Sequence, residues 1–311
     1  MVVRCLEGFP VREVVFRANV SFRSPHMNRL DGDARPGHHG AIAGCATSMS
    51  IARYSRFIRP ICRTQKRNPD PKSRSITLAV KTVTTYDPPC RMPNGLQWFE
   101  DELYVMDQQT DQVYVMNTDG YTTRVMDTPT ENGSGITVGG GFLWTASNGV
   151  TNFRDYRPTD THIGWIYQLD LKTGAFVNRW RTPDGGGIHG LEWDDGRLWV
   201  TAFNPKAIHI CDPSDNMKVL ETFEVPTERL HGLALDGDGI WCAHTSDQVI
   251  IKYDIESGEE QDRIVFGDDS PAPHGLTIKD GELWYSDAMM ISGVGHDDPV
   301  REGPEIGRIS R

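Results

Sequence analysis

The chain has 311 residues, 38% of them hydrophobic and 24% charged, and its formal net charge is −11. That length suits one large domain or two ordinary ones. Because no stretch of 18 apolar residues occurs, the composition excludes a helical membrane protein, and we expect a soluble globular one. The 31 glycines, 19 prolines and eight tryptophans favour many short strands joined by tight turns.

The first 75 residues differ from the rest of the chain in charge. They hold 14 Lys and Arg against five Asp and Glu, whereas residues 76–311 hold 18 against 38. Apolar residues recur every three or four positions from Ile51 to Ile61 with arginines between them, a pattern typical of an organelle presequence. A disordered leader explains the same composition equally well. We therefore predict a basic leader over residues 1–75, and a cytoplasmic protein unless that leader directs it to an organelle.

The acidic body, residues 76–311, narrows the classes of partner. Nucleic acids and anionic membranes are bound through basic faces, and 38 acidic side chains against 18 basic ones leave little room for such a face. We therefore expect a small-molecule substrate and a metal ion as partners, and neither nucleic acid nor membrane.

Five similar segments recur along the body. Each contains Gly, an aliphatic residue, a polar turn, and then Leu or Ile before an aromatic residue. Their starts are 40, 55, 42 and 43 residues apart, which is the length of a four-stranded propeller blade with one insertion. The segments begin at Asn94, Ser134, His189, His231 and His274.

The remaining strands follow in order within each unit. The fifth unit runs out after three strands, so we predict that residues 76–83 supply the fourth and close the ring by joining the two ends of the body. The predicted fold is an all-β, five-bladed β-propeller. Six blades are the alternative, although residues 1–75 lack the repeat that a sixth unit needs. Third strands are predicted over 112–116, 165–169, 208–211, 249–253 and 306–309.

Propeller geometry brings two rings of residues to one face, because consecutive strands of a blade are antiparallel. One ring holds the five segment starts, and the other holds the ends of the second strands. Three histidines converging on an axial mouth suit zinc, iron, manganese or copper. We therefore predict metal ligands at His189, His231 and His274, acid or base groups at His244, Asp107 and Asp287, and substrate contacts at Asn94 and Ser134.

A scaffold role for the histidines has about equal weight. The His-Gly-Leu repeat would also persist if each imidazole hydrogen-bonded the adjoining turn once per blade, with no ligand present.

An insertion over residues 148–164 lengthens a loop that opens on the same face as the histidines. Long loops at such positions often cover a site. The insertion carries arginines that can bind a carboxylate or phosphate through paired hydrogen bonds. A second long loop, residues 289–305, would form a lid with it. The predicted substrate-binding residues of the insertion are Asn152, Arg154, Tyr156 and Arg157.

The segments PHGLTIKDGELWYSD and MPNGLQWFEDELYVMD are similar to the repeats of the propeller superfamily that contains virginiamycin B (streptogramin) lyase and the gluconolactonases. The resemblance covers residues 85–311. The His-Gly-Leu of residues 274–276 and the Leu-Trp-Tyr of residues 283–285 are similar to the lyase repeat. The Asn-Gly-Leu of residues 94–96 looks like the segment that supplies a metal ligand in gluconolactonases. The resemblance implies divalent-metal catalysis at the axial mouth, either lactone hydrolysis or an elimination that opens a lactone ring.

Three functions stay open at this point. The first is a metal-dependent enzyme, a lactonase or lyase, that acts on a small anionic or lactone-type substrate. The second is a non-catalytic propeller that binds a small ligand or a protein on the same face. The third is a metal-free hydrolase or cyclase that uses carboxylates alone. Metal that survives dialysis separates the first from the others, and turnover of lactones separates an enzyme from a binder.

Overall fold

The computed structural model describes residues 81–226, 229–267, 270–289 and 303–310. These residues form twenty β-strands and two short 3₁₀ turns. The predicted leader, residues 1–75, lies outside them. The strands are β1 (Lys81–Tyr86), β2 (Pro93–Phe99), β3 (Glu102–Asp107), β4 (Gln112–Met116), β5 (Thr122–Asp127), β6 (Gly133–Gly139), β7 (Phe142–Ser147), β8 (Trp165–Asp170), β9 (Phe176–Arg181), β10 (Leu191–Asp194), β11 (Arg197–Phe203), β12 (Lys206–Asp212), β13 (Lys218–Glu224), β14 (Leu230–Asp236), β15 (Gly239–His244), β16 (Val249–Asp254), β17 (Glu260–Val265), β18 (Leu276–Lys279), β19 (Glu282–Asp287) and β20 (Glu305–Ser310).

The strands form five antiparallel four-stranded sheets, which are the blades of a propeller. From the axis outwards, blade 1 is β2-β3-β4-β5, blade 2 is β6-β7-β8-β9, blade 3 is β10-β11-β12-β13, blade 4 is β14-β15-β16-β17 and blade 5 is β18-β19-β20-β1. The prediction of an all-β, five-bladed propeller is confirmed. Within the described part of the chain, no helix is long and apolar enough to cross a membrane.

The ring is closed by β1, which pairs with β20 so that Lys81 lies opposite Ser310. A closing strand at the start of the body was predicted over 76–83, and the structure places it over Lys81–Tyr86; residues 76–80 lie outside the described part. The strand continues to Tyr86 because its ring stacks on Trp284 with centroids 5.5 Å apart, and its hydroxyl donates to Thr118 O at 2.7 Å. Tyr86 therefore links blade 5 to blade 1.

The glycine of each repeat lies where the inner strands of neighbouring blades approach backbone to backbone. A Cβ atom on Gly190 would lie 2.0 Å from His231 O, and one on Gly232 would lie 2.4 Å from Leu276 N. Only glycine fits such a contact. The repeat glycine is therefore a packing requirement, and it places the residue before it at the rim of the axis.

The hydrophobic core lies between neighbouring blades. Trp199 of blade 3 belongs to the same buried cluster as Leu233 and Ile240 of blade 4. Trp284 of blade 5 packs edge-on against Trp98 of blade 1, with ring centroids 5.5 Å apart. Because side chains alternate along a strand, each blade presents an apolar surface to both neighbours.

An aliphatic layer blocks the axis below the first residues of the inner strands. We call this layer the axial floor; its side chains are almost completely buried. Together with the repeat glycines it leaves no volume for a water molecule between the described residues at this level. The mouth above is therefore a blind pocket. The axial floor consists of Leu96, Ile136, Leu191, Leu233 and Leu276.

Candidate functional site

A polar pocket of about 360 Å³ opens at the face where the inner strands begin. That volume lies at the lower end of the range for small-molecule sites. Five side-chain amides, three imidazoles, one guanidinium and two phenyl rings contribute to its wall. The lining residues are Asn94, Gln108, Asn132, Asn148, Asn152, Phe153, Gly187, His189, Phe203, Arg229, His231 and His274.

The three histidines of the repeat meet in this pocket. The ring centroids of His189 and His231 are 4.4 Å apart, and those of His231 and His274 are 4.8 Å apart, both in edge-to-face contact. Of the other predicted site residues, Asn94 and Asn152 line the pocket with them.

The position of the proton on His231 follows from its hydrogen bonds. Its Nδ1 lies 2.9 Å from Arg229 O and 2.9 Å from Thr245 Oγ1. The Thr245 hydroxyl donates to Pro273 O, so it accepts from His231. Nδ1 therefore carries the hydrogen and Nε2 carries the lone pair. Burial, and then the neighbouring histidines, hold the pKa of His231 well below its ordinary value.

The other two histidines differ in their contacts. His274 donates from Nδ1 to Ala272 O at 2.8 Å, as His231 does to the corresponding carbonyl of blade 4. The ring of His189 instead stacks on Phe203 with centroids 4.6 Å apart, and its Nδ1 is buried without a hydrogen-bond partner among the described residues. Burial, aided by the charge of Arg229, lowers the pKa of His189 to about 3. His189 is therefore neutral at physiological pH.

A chain of three amides runs along one wall of the pocket. Asn94 Nδ2 donates to Gln108 Oε1 at 2.7 Å, and Gln108 Nε2 donates to Asn132 Oδ1 at 2.8 Å. Asn132 Nδ2 then donates to Val150 O at 2.8 Å. The chain ends at Asn94 Oδ1, a buried oxygen that has no hydrogen-bond partner in the described part of the molecule.

Asn148 forms a second amide contact beside this chain. Its Nδ2 donates to Asn132 O at 3.0 Å and to Ser134 Oγ at 3.1 Å. Ser134 lies behind the pocket wall, where its hydroxyl donates to Ile188 O at 2.7 Å. The Oδ1 atom of Asn148 is buried and likewise has no partner among the residues that the structure describes.

The predicted acid or base groups lie behind the wall and not in the pocket. Asp107 accepts from the backbone of Met92 at 3.1 Å and from the Thr110 hydroxyl at 2.7 Å. Asp287 makes the matching contact in blade 5, where it accepts from Ala272 N at 3.0 Å. The remaining member, His244, is buried, and its Nε2 lies 3.0 Å from the Tyr253 hydroxyl. In blades 1 and 5, these carboxylates therefore bind the end of the second strand to the segment just before the inner strand of the same blade.

The residues that follow the second strands enter the pocket instead. Gln108 and Asn148 come directly after Asp107 and Ser147, and Phe203 follows Ala202. Because successive side chains of an extended strand point to opposite sides, a shift of one residue exchanges the pocket for the blade interior. The sequence analysis missed two signals: this alternation, and the polar residues directly before the inner strands, such as Asn132 and Arg229.

The arginines of the insertion bind other parts of the protein. Arg154 donates from Nε to Asp111 at 2.6 Å and pairs with both carboxylate oxygens of Asp160 at 2.7 and 2.9 Å. Its hydrogen bonds hold the pKa of Asp160 down, at about 2. Arg157 donates to the carbonyls of Thr128 and Thr130. Both guanidinium groups therefore fix the loop to blade 1 and to the connection between blades 1 and 2, and they do not line the pocket.

The rest of the insertion divides between pocket and solvent. Asn152 and Phe153 reach the pocket wall, whereas Tyr156 is 58% exposed and contacts the ring of His162. The loop is thus a fixed wall of the pocket. Most of the second predicted lid loop, residues 290–302, lies outside the described residues.

The resemblance to the lyases and gluconolactonases implies a divalent metal. Three imidazoles are a suitable donor set, but among residues 81–226, 229–267, 270–289 and 303–310 no group of three or more His, Cys, Asp or Glu side chains is placed to hold a metal ion. The described residues therefore supply suitable donor atoms but are not arranged as a metal centre, and metal binding stays a prediction.

Comparisons with known proteins show the fold. No family model and no curated protein matches the sequence. Among solved structures, glutaminyl cyclase of Myxococcus xanthus is 12% identical, with a TM-score of 0.50 over 75% of this chain and 98% of that one. A streptogramin B lyase is 16% identical, with a TM-score of 0.42 over 66% of this chain. A luciferin-regenerating enzyme is 12% identical, with a TM-score of 0.48 over 75% of this chain and 95% of that one.

The chain spans about 65% of the length of the streptogramin B lyase. The cyclase match shows a shared propeller fold. At this level of identity the likeness establishes architecture, while the chemistry has to be argued from the pocket itself.

Proposed function

We propose that the protein is an enzyme that acts on a small acyl compound in the axial pocket and uses His231 as its proton acceptor. The observation that carries this proposal is the fixed tautomer of His231. With Nδ1–H held by Arg229 O and Thr245 Oγ1, the ring presents Nε2, which is the basic nitrogen of a neutral imidazole.

Arg229 sets the kind of substrate group that the pocket favours. It lines the pocket, and its charge contributes to lowering the pKa of both His189 and His231. No carboxylate lines the pocket in the described part of the chain. A carbonyl oxygen or a carboxylate is therefore favoured beside Arg229, which supports a lactone-type or anionic substrate.

The proposed step is general base catalysis at a carbonyl that Arg229 polarises. In hydrolysis, His231 Nε2 takes a proton from water as the water oxygen bonds to the carbonyl carbon. The same imidazolium then returns a proton to the leaving oxygen or nitrogen as the acyl bond breaks. In an elimination, Nε2 would take the proton from the carbon beside a carbonyl, a C=C bond would form to the next carbon, and the bond from that carbon to the ring ester oxygen would break, so that the lactone carboxylate leaves.

Replacement of His231 tests the proposal. We expect His231→Asn to lower kcat at least 100-fold on any lactone that the wild-type protein hydrolyses or opens, because a positioned base contributes a factor of 10² to 10⁴. The matched control is His209→Asn, since His209 contacts Thr222 on a strand away from the pocket. Equal turnover by His231→Asn and wild type contradicts the proposal. A panel of lactones that are bound but not turned over favours the non-catalytic binder.

A second candidate is a metal-dependent form of the same enzyme. It is supported by the Nδ1–H bonds of His231 and His274 to backbone carbonyls, because metal-ligating imidazoles commonly make such bonds. Elemental mass spectrometry of the dialysed full chain tests it. One cation per chain that is lost in His274→Ala supports this candidate, and no cation after reconstitution with divalent metals rejects it.

A further inference from the structure

Two oxygens in the pocket wall specify the hydrogen-bonding character of the ligand. These are Asn94 Oδ1 and Asn148 Oδ1, which are buried and have no hydrogen-bond partner among the described residues. Both belong to residues that line the pocket, and Asn94 is only 1% exposed. An unpaired buried carbonyl oxygen is costly, so each of these atoms is expected to accept a hydrogen bond when the pocket is filled.

The direction of the amide chain makes these two atoms acceptors. The nitrogen and oxygen of an amide side chain are told apart by their partners. The last partner of the chain is Val150 O, which only accepts, so Asn132 must donate to it. Gln108 must then donate to Asn132, and Asn94 to Gln108. Reversing any member would oppose two oxygens or two N–H groups.

Asn148 is oriented by the same logic. Its Nδ2 faces Asn132 O, a carbonyl that cannot donate, so Oδ1 has to point to the other side. Gly187 packs directly against that oxygen, because a Cβ atom at position 187 would lie 2.5 Å from Asn148 Oδ1.

We propose that the ligand of this pocket carries a neutral hydrogen-bond donor, the N–H of an amide, beside its carbonyl group. A lactone ring has only acceptor oxygens and satisfies neither Asn94 nor Asn148, whereas the single N–H of a lactam satisfies one of them and the two N–H groups of a primary amide are enough for both. An ammonium group is disfavoured because Arg229 is cationic and no carboxylate lines the described pocket. The preferred substrate class is therefore a lactam or another small amide, with its carbonyl at Arg229. This inference rests on the pocket of the proposed function but not on turnover.

A matched set of cyclic probes tests the inference by binding alone. Ligand-observed NMR titration of the full chain would compare δ-valerolactam, N-methyl-δ-valerolactam and δ-valerolactone, which differ mainly in the N–H donor. We expect the lactam to bind about five- to tenfold more tightly than the other two, the factor that one net hydrogen bond supplies. A second pair, α-hydroxy-γ-butyrolactone and γ-butyrolactone, shows whether a hydroxyl donor serves as well.

Two variants locate the effect. Asn148→Leu removes one acceptor, and Gly187→Ala brings a methyl group to within 2.5 Å of it, so that the Asn148 amide has to shift. We expect both to reduce the preference for the lactam over its N-methyl form. The control is Asn178→Leu on the exposed strand β9, which should keep the wild-type preference.

The outcomes separate this inference from the proposed function. A wild-type protein that does not bind the lactam more tightly than the N-methyl lactam overturns the inference, whatever the variants do. A preference that survives unchanged in both variants overturns it as well. A preference for the lactam without His231-dependent turnover of lactams or lactones rejects the proposed function and supports the inference. His231-dependent turnover of lactones without a preference for the lactam supports the proposed function and rejects the inference.

Discussion

Glu192 shows how one side chain can make stability depend on pH. It lies on the inner strand β10, its carboxyl accepts from Leu235 N of the next blade, and its Oε2 is buried without a partner in the described part of the chain. Burial, with a smaller effect of Asp194, raises the pKa of Glu192 from 4.5 to about 8. The native protein thus keeps this proton over a range in which the unfolded chain releases it.

The sign of the effect follows from proton binding. Between pH 4.5 and about 8 the native state binds more protons than the unfolded state, so Glu192 makes the free energy of unfolding fall as the pH rises. We expect Glu192→Gln to remove this loss, with a gain over wild type that grows by at most about 1.4 kcal/mol per pH unit across that range. Urea unfolding at pH 4, 6 and 8 measures it, and an equal gain at all three values would contradict the assignment.

At the scale of the element, the insertion over residues 148–164 is held by one buried charge network. Arg154 pairs with Asp111, which is fully buried, and with Asp160, whose side chain is almost fully buried. We expect Arg154→Met to destabilise the protein by about 3 kcal/mol, because two buried carboxylates lose their nearest cation and keep only Arg157, at 3.3 Å from Asp160 and 3.8 Å from Asp111. It should also speed proteolysis within the loop.

Chemical unfolding and limited proteolysis check this expectation. The control is Arg179→Met, because Arg179 lies on the exposed strand β9 over the ring of Trp165 and should cost less than about 1 kcal/mol. Arg154→Met with wild-type stability and an uncut loop would show that the network does not hold the insertion.

The second strands show where sequence reasoning succeeded and where it stopped. Their positions and the face on which they end follow from the repeat. Neighbouring residues at the end of a strand face opposite sides, so an error of one position reverses the assignment. Because Asp107 and Gln108 are both polar, composition does not show which of them faces the pocket. The structure turns Asp107 to the blade interior and Gln108 to the pocket.

Sequence charge was similarly ambiguous for the insertion. Arginines in a loop beside a pocket suit an anionic ligand, but they suit carboxylates of the protein equally well. The partners of Arg154, Asp111 and Asp160, lie 43 and six positions away in the chain, so only the folded chain shows that this guanidinium is already bound. The amide chain from Asn94 to Val150 likewise joins residues with no common motif.

At the scale of the whole molecule, closure of the ring joins residues more than 200 positions apart, and Tyr86 contributes at that junction. We expect Tyr86→Ala to lower the free energy of unfolding by about 2–4 kcal/mol, through lost aromatic packing on Trp284 and a lost hydrogen bond to Thr118. Tyr86→Phe, which loses only the hydrogen bond, should cost about 1 kcal/mol.

Urea denaturation of the full chain measures both changes. Tyr121→Ala is the matched control, because Tyr121 is 71% exposed and should change stability by less than about 0.5 kcal/mol. If Tyr86→Ala and Tyr121→Ala are equally stable, the junction does not depend on this side chain.

The number of blades was predictable because the inner strand of each blade needs a glycine where it approaches the neighbouring blade. That requirement recurs once per blade, so it produces a regular repeat in the sequence. The repeat also marks Asn94 and the three histidines of the site, whereas the remaining pocket residues come from loops and strand ends that differ between blades.

The axial floor determines how a molecule enters and leaves the pocket. Where Leu96, Ile136, Leu191, Leu233 and Leu276 pack across the axis, the described residues leave no space for a water molecule, so the pocket is closed at its inner end. A molecule that enters the pocket must leave by the opening through which it came, so each departure has to precede the next arrival.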